Sequence, residues 1–282
     1  MVENRPFLNV LTHFVLILGI ATVVFPVYLA FIASTHGPTD FMTGLLPLMP
    51  GDQMLENYGA LLGTGSSRAG APAFLLMLGN SLVMAIMVAV GKIAISIISA
   101  FAIVYFRFPF RVLAFWLIFM TLMLPIEVRI LPTYKVVADL GMLNSYAGLV
   151  IPVIASATAT FLFRQFFLTI PEEMMEAARV DGAGPMKFFW DILLPLSRTN
   201  IAALFIIMFI YGWNQYLWPL LITTEPHYYT VVMGIKRLAA VLDGDSQWNL
   251  VMTGVILAAL PPVLVIIFMQ RLFVKGLVDT EK

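Results

Sequence analysis

The chain has 282 residues, a formal net charge of zero from 16 basic and 16 acidic side chains, and 61% hydrophobic against only 11% charged residues. That is far more apolar material than a soluble core of this length needs, so the chain reads as an integral membrane protein. The charge balance gives no sign of an acidic tail or a nucleic-acid surface, and the absence of cysteine excludes disulfides and thiol chemistry.

In chain order, Thr12 to Ala33 is an apolar run too long for a signal-peptide core and is expected as a retained first span. His36 to Pro72 is rich in Gly, Pro and Ser and reads as an irregular loop. Further spans are expected near Leu82 to Val104, Val112 to Leu131, Ala147 to Phe163, Ile201 to Ile222 and Leu250 to Met269, six in all. The predicted fold class is all-α and polytopic, one membrane domain over residues 1–282, with a helix-turn-helix loop at 164–198. Arg5, Arg107, Arg111, Arg164, Arg179, Lys187, Arg198, Arg271, Lys275 and Lys282 fall on one side. Arg68, Arg129, Lys135, Lys236 and Arg237 fall on the other, so ten cations against five place both termini and the loop in the cytoplasm.

Lys92 lies midway along the second span, on a stripe of small and polar residues, Ser81, Ala85, Ala89, Ser96 and Ser99. Such a lysine either lines a path for an anionic cargo or fixes helix packing by snorkelling or pairing with a carboxylate. Arg129, near Glu127 at the end of the third span, offers a forked donor for a phosphate or an ordinary interfacial anchor. Tyr211, Asn214, Gln215 and Trp218 are spaced to share one helical face of the fifth span, where amides suit a polyol or glue helices together. The three histidines are scattered, and Gly91-Lys92 lacks the first Gly and the Ser or Thr of a phosphate loop, so neither a metal site nor ATP binding is expected here.

The polar loop carries its own punctuation. Thr169 with Glu172 has capping-box spacing, Pro171 suits a first turn, and Asp181-Gly182 is expected to end a helix. Pro185 then opens a second helix predicted to end before Pro195. Phe188, Phe189, Trp190, Ile192 and Leu193 give that second helix an apolar surface, to be covered by the bundle itself or by a partner. Ala177 and Ala178 are small enough for a close approach.

The pattern Glu176-Ala177-Ala178, three residues, Gly182, nine residues, Ile192, one residue, Leu194-Pro195 resembles the cytoplasmic signature of ABC importer permeases. The resemblance implies that Glu176, Ala177, Ala178, Asp181, Gly182, Ile192, Leu194 and Pro195 dock on an ATP-binding subunit. Asn80-Ser81-Leu82, Arg107-Phe108-Pro109, Asn144-Ser145-Tyr146, Phe163-Arg164-Gln165-Phe166-Phe167 and the C-terminal Gln270-Arg271, Val274 and Gly276-Leu277 extend it to six-span permeases of maltose-type carbohydrate importers. Leu124-Pro125 through Ile130, Tyr211 through Pro219 and the ending Gly276 to Asp279 are similar to the sn-glycerol-3-phosphate importers of that family. The resemblance implies a non-catalytic permease of the inner membrane, working by alternating access. Its implied partners are a second homologous permease, two copies of an ATP-binding subunit that hold ATP and Mg, and an extracytoplasmic solute-binding protein. Lys92, Arg129, Asn214 and Gln215 are the candidate path residues. A glycerophosphodiester or a neutral sugar is the alternative cargo; a secondary transporter or a membrane-embedded enzyme is a more remote one.

Overall fold

The computed structural model describes residues 6–43, 48–63, 72–120, 124, 126–240 and 247–279, with the side chains of residues 6, 42–43, 126–127 and 271–279 left aside. The Glu127 side chain, Arg5, Arg68, Lys282 and the side chains of the C-terminal resemblance beyond Gln270 therefore lie outside the described residues. Helices account for every long element: α1 Pro6–Ser34, α2 Met54–Gly63, α3 Phe74–Tyr105, α4 Arg111–Met120, α5 Ile126–Asp139, α6 Tyr146–Val150, α7 Ala157–Phe167, α8 Glu172–Val180, α9 Pro185–Phe188, α10 Leu194–Leu196, α11 Arg198–Trp213, α12 Leu217–Ile222, α13 Val231–Ala239 and α14 Trp248–Asp279. The all-α membrane architecture holds.

Among the described residues three helices are long and apolar enough to cross a bilayer, Phe7–Ser34, Phe74–Tyr105 and Trp248–Gln270, and two bent pairs bring the number to as many as five. One pair, bent by 48°, joins Tyr146–Val153 to Ala157–Phe167 and replaces the continuous fourth span expected at Ala147 to Phe163. Pro152 lies in the single turn before the break, and the Ser156 hydroxyl then caps α7 by accepting from the Ala159 N–H at 3.3 Å. The third expected span runs through α4 and residues 121–123 and 125, which are outside the described residues. Beyond it α5 continues past Leu131 to Asp139 with Pro132 inside it, so Arg129 sits within a helix rather than at a helix end.

The chain forms two compact units, Met1–Leu76 with Gly234–Leu260, and Met77–Met233 with Pro261–Lys282. In the first, α2 occupies part of the segment expected to be irregular. Its buried Asn57 explains why: the amide donates to the carbonyls of Ser34 and His36, both at 2.9 Å, and accepts from the Asn249 amide at 2.8 Å. Tertiary hydrogen bonds thus order a helix that composition does not announce. The second unit centres on Met84, Val88, Ile130, Val137, Leu149, Trp218 and Ile222, all buried. Gly212 of α11 lets α3 come close, since a Cβ there would lie 2.9 Å from the Ala85 Cα.

Candidate functional site

The helical loop begins where α7 ends. Pro171 precedes α8, Glu172 and Glu173 occupy its first turn, and Arg179 its last, so charge follows the helix dipole at both ends. No side chain caps the start. The Thr169 hydroxyl instead donates back to the Phe166 carbonyl at 2.7 Å, which overturns the expected capping box. The stop falls where expected: Gly182 has φ +75°, its N–H donates to the Arg179 carbonyl at 3.0 Å, and the Ala183 N–H donates to the Ala178 carbonyl at 2.8 Å. Those two bonds are the paired closure of a glycine-terminated helix.

Pro185 opens the second helix as expected, but the helix does not end before Pro195. A wide turn over Phe189–Leu193 leads into Leu194–Leu196, and α11 departs after Ser197 at 71° to this segment. The Ser197 hydroxyl donates to the Leu193 carbonyl at 2.6 Å and holds the elbow. Pro195 sits at the start of a new short turn, where its missing N–H costs least.

The two faces of this loop separate cleanly. Phe188, Phe189 and Leu193 are buried within the chain, with Phe189 4.9 Å from the Phe101 ring and Phe188 5.2 Å from the Tyr105 ring, both near the end of α3. Trp190, by contrast, is 59% exposed and Ile192 half-buried. The bundle thus buries three of the five residues of the expected apolar surface. Of the two alanines, Ala177 is exposed and Ala178 buried, so only the first is open to a partner. Glu176, Asp181 and Gly182 are exposed on the same loop, with Val180 at 88% and Met186 at 59%, while Leu194 and Pro195 are half-buried.

Deeper in the second unit, the Lys92 face predicted as a stripe is buried at Ser81, Ala85, Ala89 and Ser96 and half-buried at Ser99. Lys92 itself is 7% exposed. Its ammonium donates to the Ala155 carbonyl at a long 3.4 Å and lies 4.3 Å from the centre of the Tyr211 ring. Ser96 donates to the neighbouring Ser156 carbonyl at 3.1 Å. One face of α3 therefore donates to the carbonyls of Ala155 and Ser156 at the break between α6 and α7. Arg129 is exposed on α5.

The shared face of Tyr211, Asn214, Gln215 and Trp218 does not form. α11 stops at Trp213, Asn214 caps it, and α12 starts only at Leu217, so the four residues belong to two helices and a break. Asn214 is exposed and Gln215 half-buried, its amide donating to the Tyr211 carbonyl at 3.3 Å. Trp218 is buried and donates from its indole to the Gly148 carbonyl at 3.2 Å, a packing contact.

The motifs read only as resemblance turn out to tie one knot. The Asn80 amide donates to the carbonyls of His227 at 2.6 Å and Tyr229 at 3.0 Å, and accepts from the Tyr146 hydroxyl at 2.7 Å. Ser81 accepts from the Val231 N–H at 2.8 Å. Asn144, with φ 50°, accepts from the N–H groups of Thr224 at 2.7 Å and Glu225 at 3.1 Å, while Ser145 caps α6 through the Gly148 N–H at 3.0 Å. Sequence reasoning missed the roles of Asn80, Ser81 and Asn144 because most of their partners are backbone groups far along the chain, which no side-chain pattern reveals.

Residues 92–279 match the family described as binding-protein-dependent transport system inner membrane component. Over all 282 residues, and the whole of each relative, the chain is 57% identical to the sn-glycerol-3-phosphate transport system permease protein UgpE of Agrobacterium fabrum. It is 56% identical to that of Rhizobium meliloti and 57% to that of Salmonella typhi, again over full length on both sides. A bacterial ABC transporter involved in the import of the acidic polysaccharide alginate has the same fold, with a TM-score of 0.81 and 19% identity over 96% of this chain and 98% of that one.

Proposed function

The chain belongs to the family of binding-protein-dependent transport system inner membrane components, a permease family and not a catalytic one, and from that premise we propose that it serves an ATP-driven importer of sn-glycerol-3-phosphate. The observation that carries the cargo is the full-length 57% identity to permeases named for that ester. In this reading a second, related permease completes the pathway, an extracytoplasmic solute-binding protein delivers cargo, and two ATP-binding subunits hold ATP and Mg. The excess of cations on the loop side puts both termini and the loop in the cytoplasm.

Coupling runs through the loop. Glu176, Ala177, Asp181 and Gly182 present an open surface to the ATP-binding subunit, while Phe188 and Phe189 lock the other side of the loop to the end of α3. Ile192, Leu194 and Pro195 shape the elbow into α11, and buried Ala178 closes α8 from within. A displacement imposed on the exposed face is then carried as a rigid body into α3 and α11, because tightly packed elements shift between discrete arrangements instead of bending gradually. Nucleotide binding biases the permease towards one arrangement and hydrolysis releases it, the differential contact a two-state switch requires.

Within the path, Lys92 and Arg129 supply two positive charges for a phosphate dianion, and Asn214 and Gln215, freed by the helix break, offer amides to the glycerol hydroxyls. The long 3.4 Å bond leaves the Lys92 ammonium with donors to spare. The deciding experiment is ATP-dependent uptake by the reconstituted complex and its receptor, with labelled glycerol-3-phosphate, a glycerophosphodiester and maltose compared. Uptake of glycerol-3-phosphate, abolished with Gly182→Val, is the expected result; uptake of the diester alone or of maltose alone overturns the cargo.

A further inference from the structure

At the end of the bundle that carries the helical loop, a cavity of about 360 Å³ opens between the end of α3, the start of α4 and the last turns of α7. Among the described residues its lining includes two guanidinium groups, Arg111 and Arg164, and no carboxylate. The Arg164 guanidinium carbon lies 4.3 Å from the centre of the Phe115 ring, and its Nε is buried with no hydrogen-bond partner among the described residues. A buried charged donor left without an acceptor is costly, so this one is placed for an acceptor that arrives from outside the chain. Arg111 stands exposed beside it.

The rest of the wall has a different chemistry. Val112, Trp116, Phe161 and Leu168 make it apolar and aromatic, and Trp116 is 53% exposed. A free anion needs the arginines but gains nothing from such a wall. A phospholipid uses both: its phosphate meets the fork donors, and its glycerol and first acyl carbons lie against Val112 and Trp116, as amphipathic aromatics do at the headgroup level. Basic pockets among membrane helices are a recurrent form of headgroup site. We propose that Arg111 and Arg164 form a binding site for the phosphate of an anionic phospholipid, at the same membrane face as the helical loop. The site needs only a membrane-spanning chain and does not depend on the cargo.

Native mass spectrometry of the assembled complex in mild detergent tests this, with phosphatidylglycerol, phosphatidylcholine and inorganic phosphate titrated separately. The wild type should retain phosphatidylglycerol at about tenfold lower concentration than phosphatidylcholine, the scale of one charge-assisted hydrogen bond. Combining Arg111→Gln with Arg164→Gln should remove that preference while every subunit stays in the complex. Because Arg164 packs on Phe115, Arg111→Gln alone, at the exposed rim, is the safer second variant and should weaken the preference severalfold. Equal retention of the two lipids by the wild type, or an unchanged preference in Arg111→Gln, overturns the site. Arginine-dependent binding of inorganic phosphate without retention of phosphatidylglycerol identifies a free-anion site and also overturns it.

Discussion

Gly182 closes α8 with φ +75° and has open space around the position a Cβ would take, so its constraint is backbone strain alone. The left-handed region costs an L-residue about 1–2 kcal/mol, least for Asn and most for β-branched side chains. We therefore predict a graded series for ATP-dependent uptake, Gly182→Asn near wild type, Gly182→Ala reduced and Gly182→Val lowest, at equal membrane insertion. Equal uptake by the Asn and Val variants would show that the turn does not matter to coupling. Lys92 poses a different balance. Its burial is costly, and the 3.4 Å bond to Ala155 returns little, so replacement by Met should leave assembly and melting temperature nearly unchanged. Uptake of the phosphate ester should fall severalfold while basal ATP hydrolysis stays constant. Loss of the assembled complex in Lys92→Met would instead assign the ammonium to packing.

Between elements, the contact of α3 with α11 depends on small residues. A Cβ on Gly212 would lie 2.9 Å from the Ala85 Cα, a backbone atom that cannot rotate away. Gly212→Val should therefore push the two helices apart and cost about 1–3 kcal/mol, the usual range for overpacking. A lowered melting temperature of the complex is the expected signature; an unchanged one would mean the helices separate freely. Element-level features were unevenly legible in the sequence. The end of α8 was readable because Gly182 acts locally, and α1, α3 and α14 because long apolar runs leave a bilayer few options. The break after Trp213 was hidden, since Asn214 and Gln215 keep helical spacing while the chain between them and Leu217 leaves the helix. Likewise α2 escaped detection because Asn57 draws its partners from Ser34, His36 and Asn249, distant in sequence. At the candidate site, the exposed signature residues were legible as a pattern. That Ala178 faces inward, and that Phe188 and Phe189 belong to the chain's own packing, required the tertiary structure.

For the whole molecule, orientation decides whether the loop can meet an ATP-binding subunit at all. The ten-to-five bias of cations is a statistical force on insertion, whereas the exposed positions in the structure give points at which it can be measured directly. A chain without cysteine is its own background for this purpose. Lys187 lies exposed between α8 and the elbow, and Glu225 lies exposed after α12 near the knot around Asn144. Neither is buried, so Lys187→Cys and Glu225→Cys should fold and insert as the wild type does. In intact cells with a permeable outer membrane, a membrane-impermeant maleimide should label the cysteine at 225 and leave that at 187 untouched; in inverted vesicles the pattern should reverse. Adding the ATP-binding subunit to inverted vesicles should then protect position 187 from labelling severalfold, since docking on the exposed face of α8 also covers the neighbouring turn. Labelling of position 187 from outside would refute both the orientation and the coupling role. Correct sidedness without protection would keep the orientation and remove the docking assignment from this face of the loop.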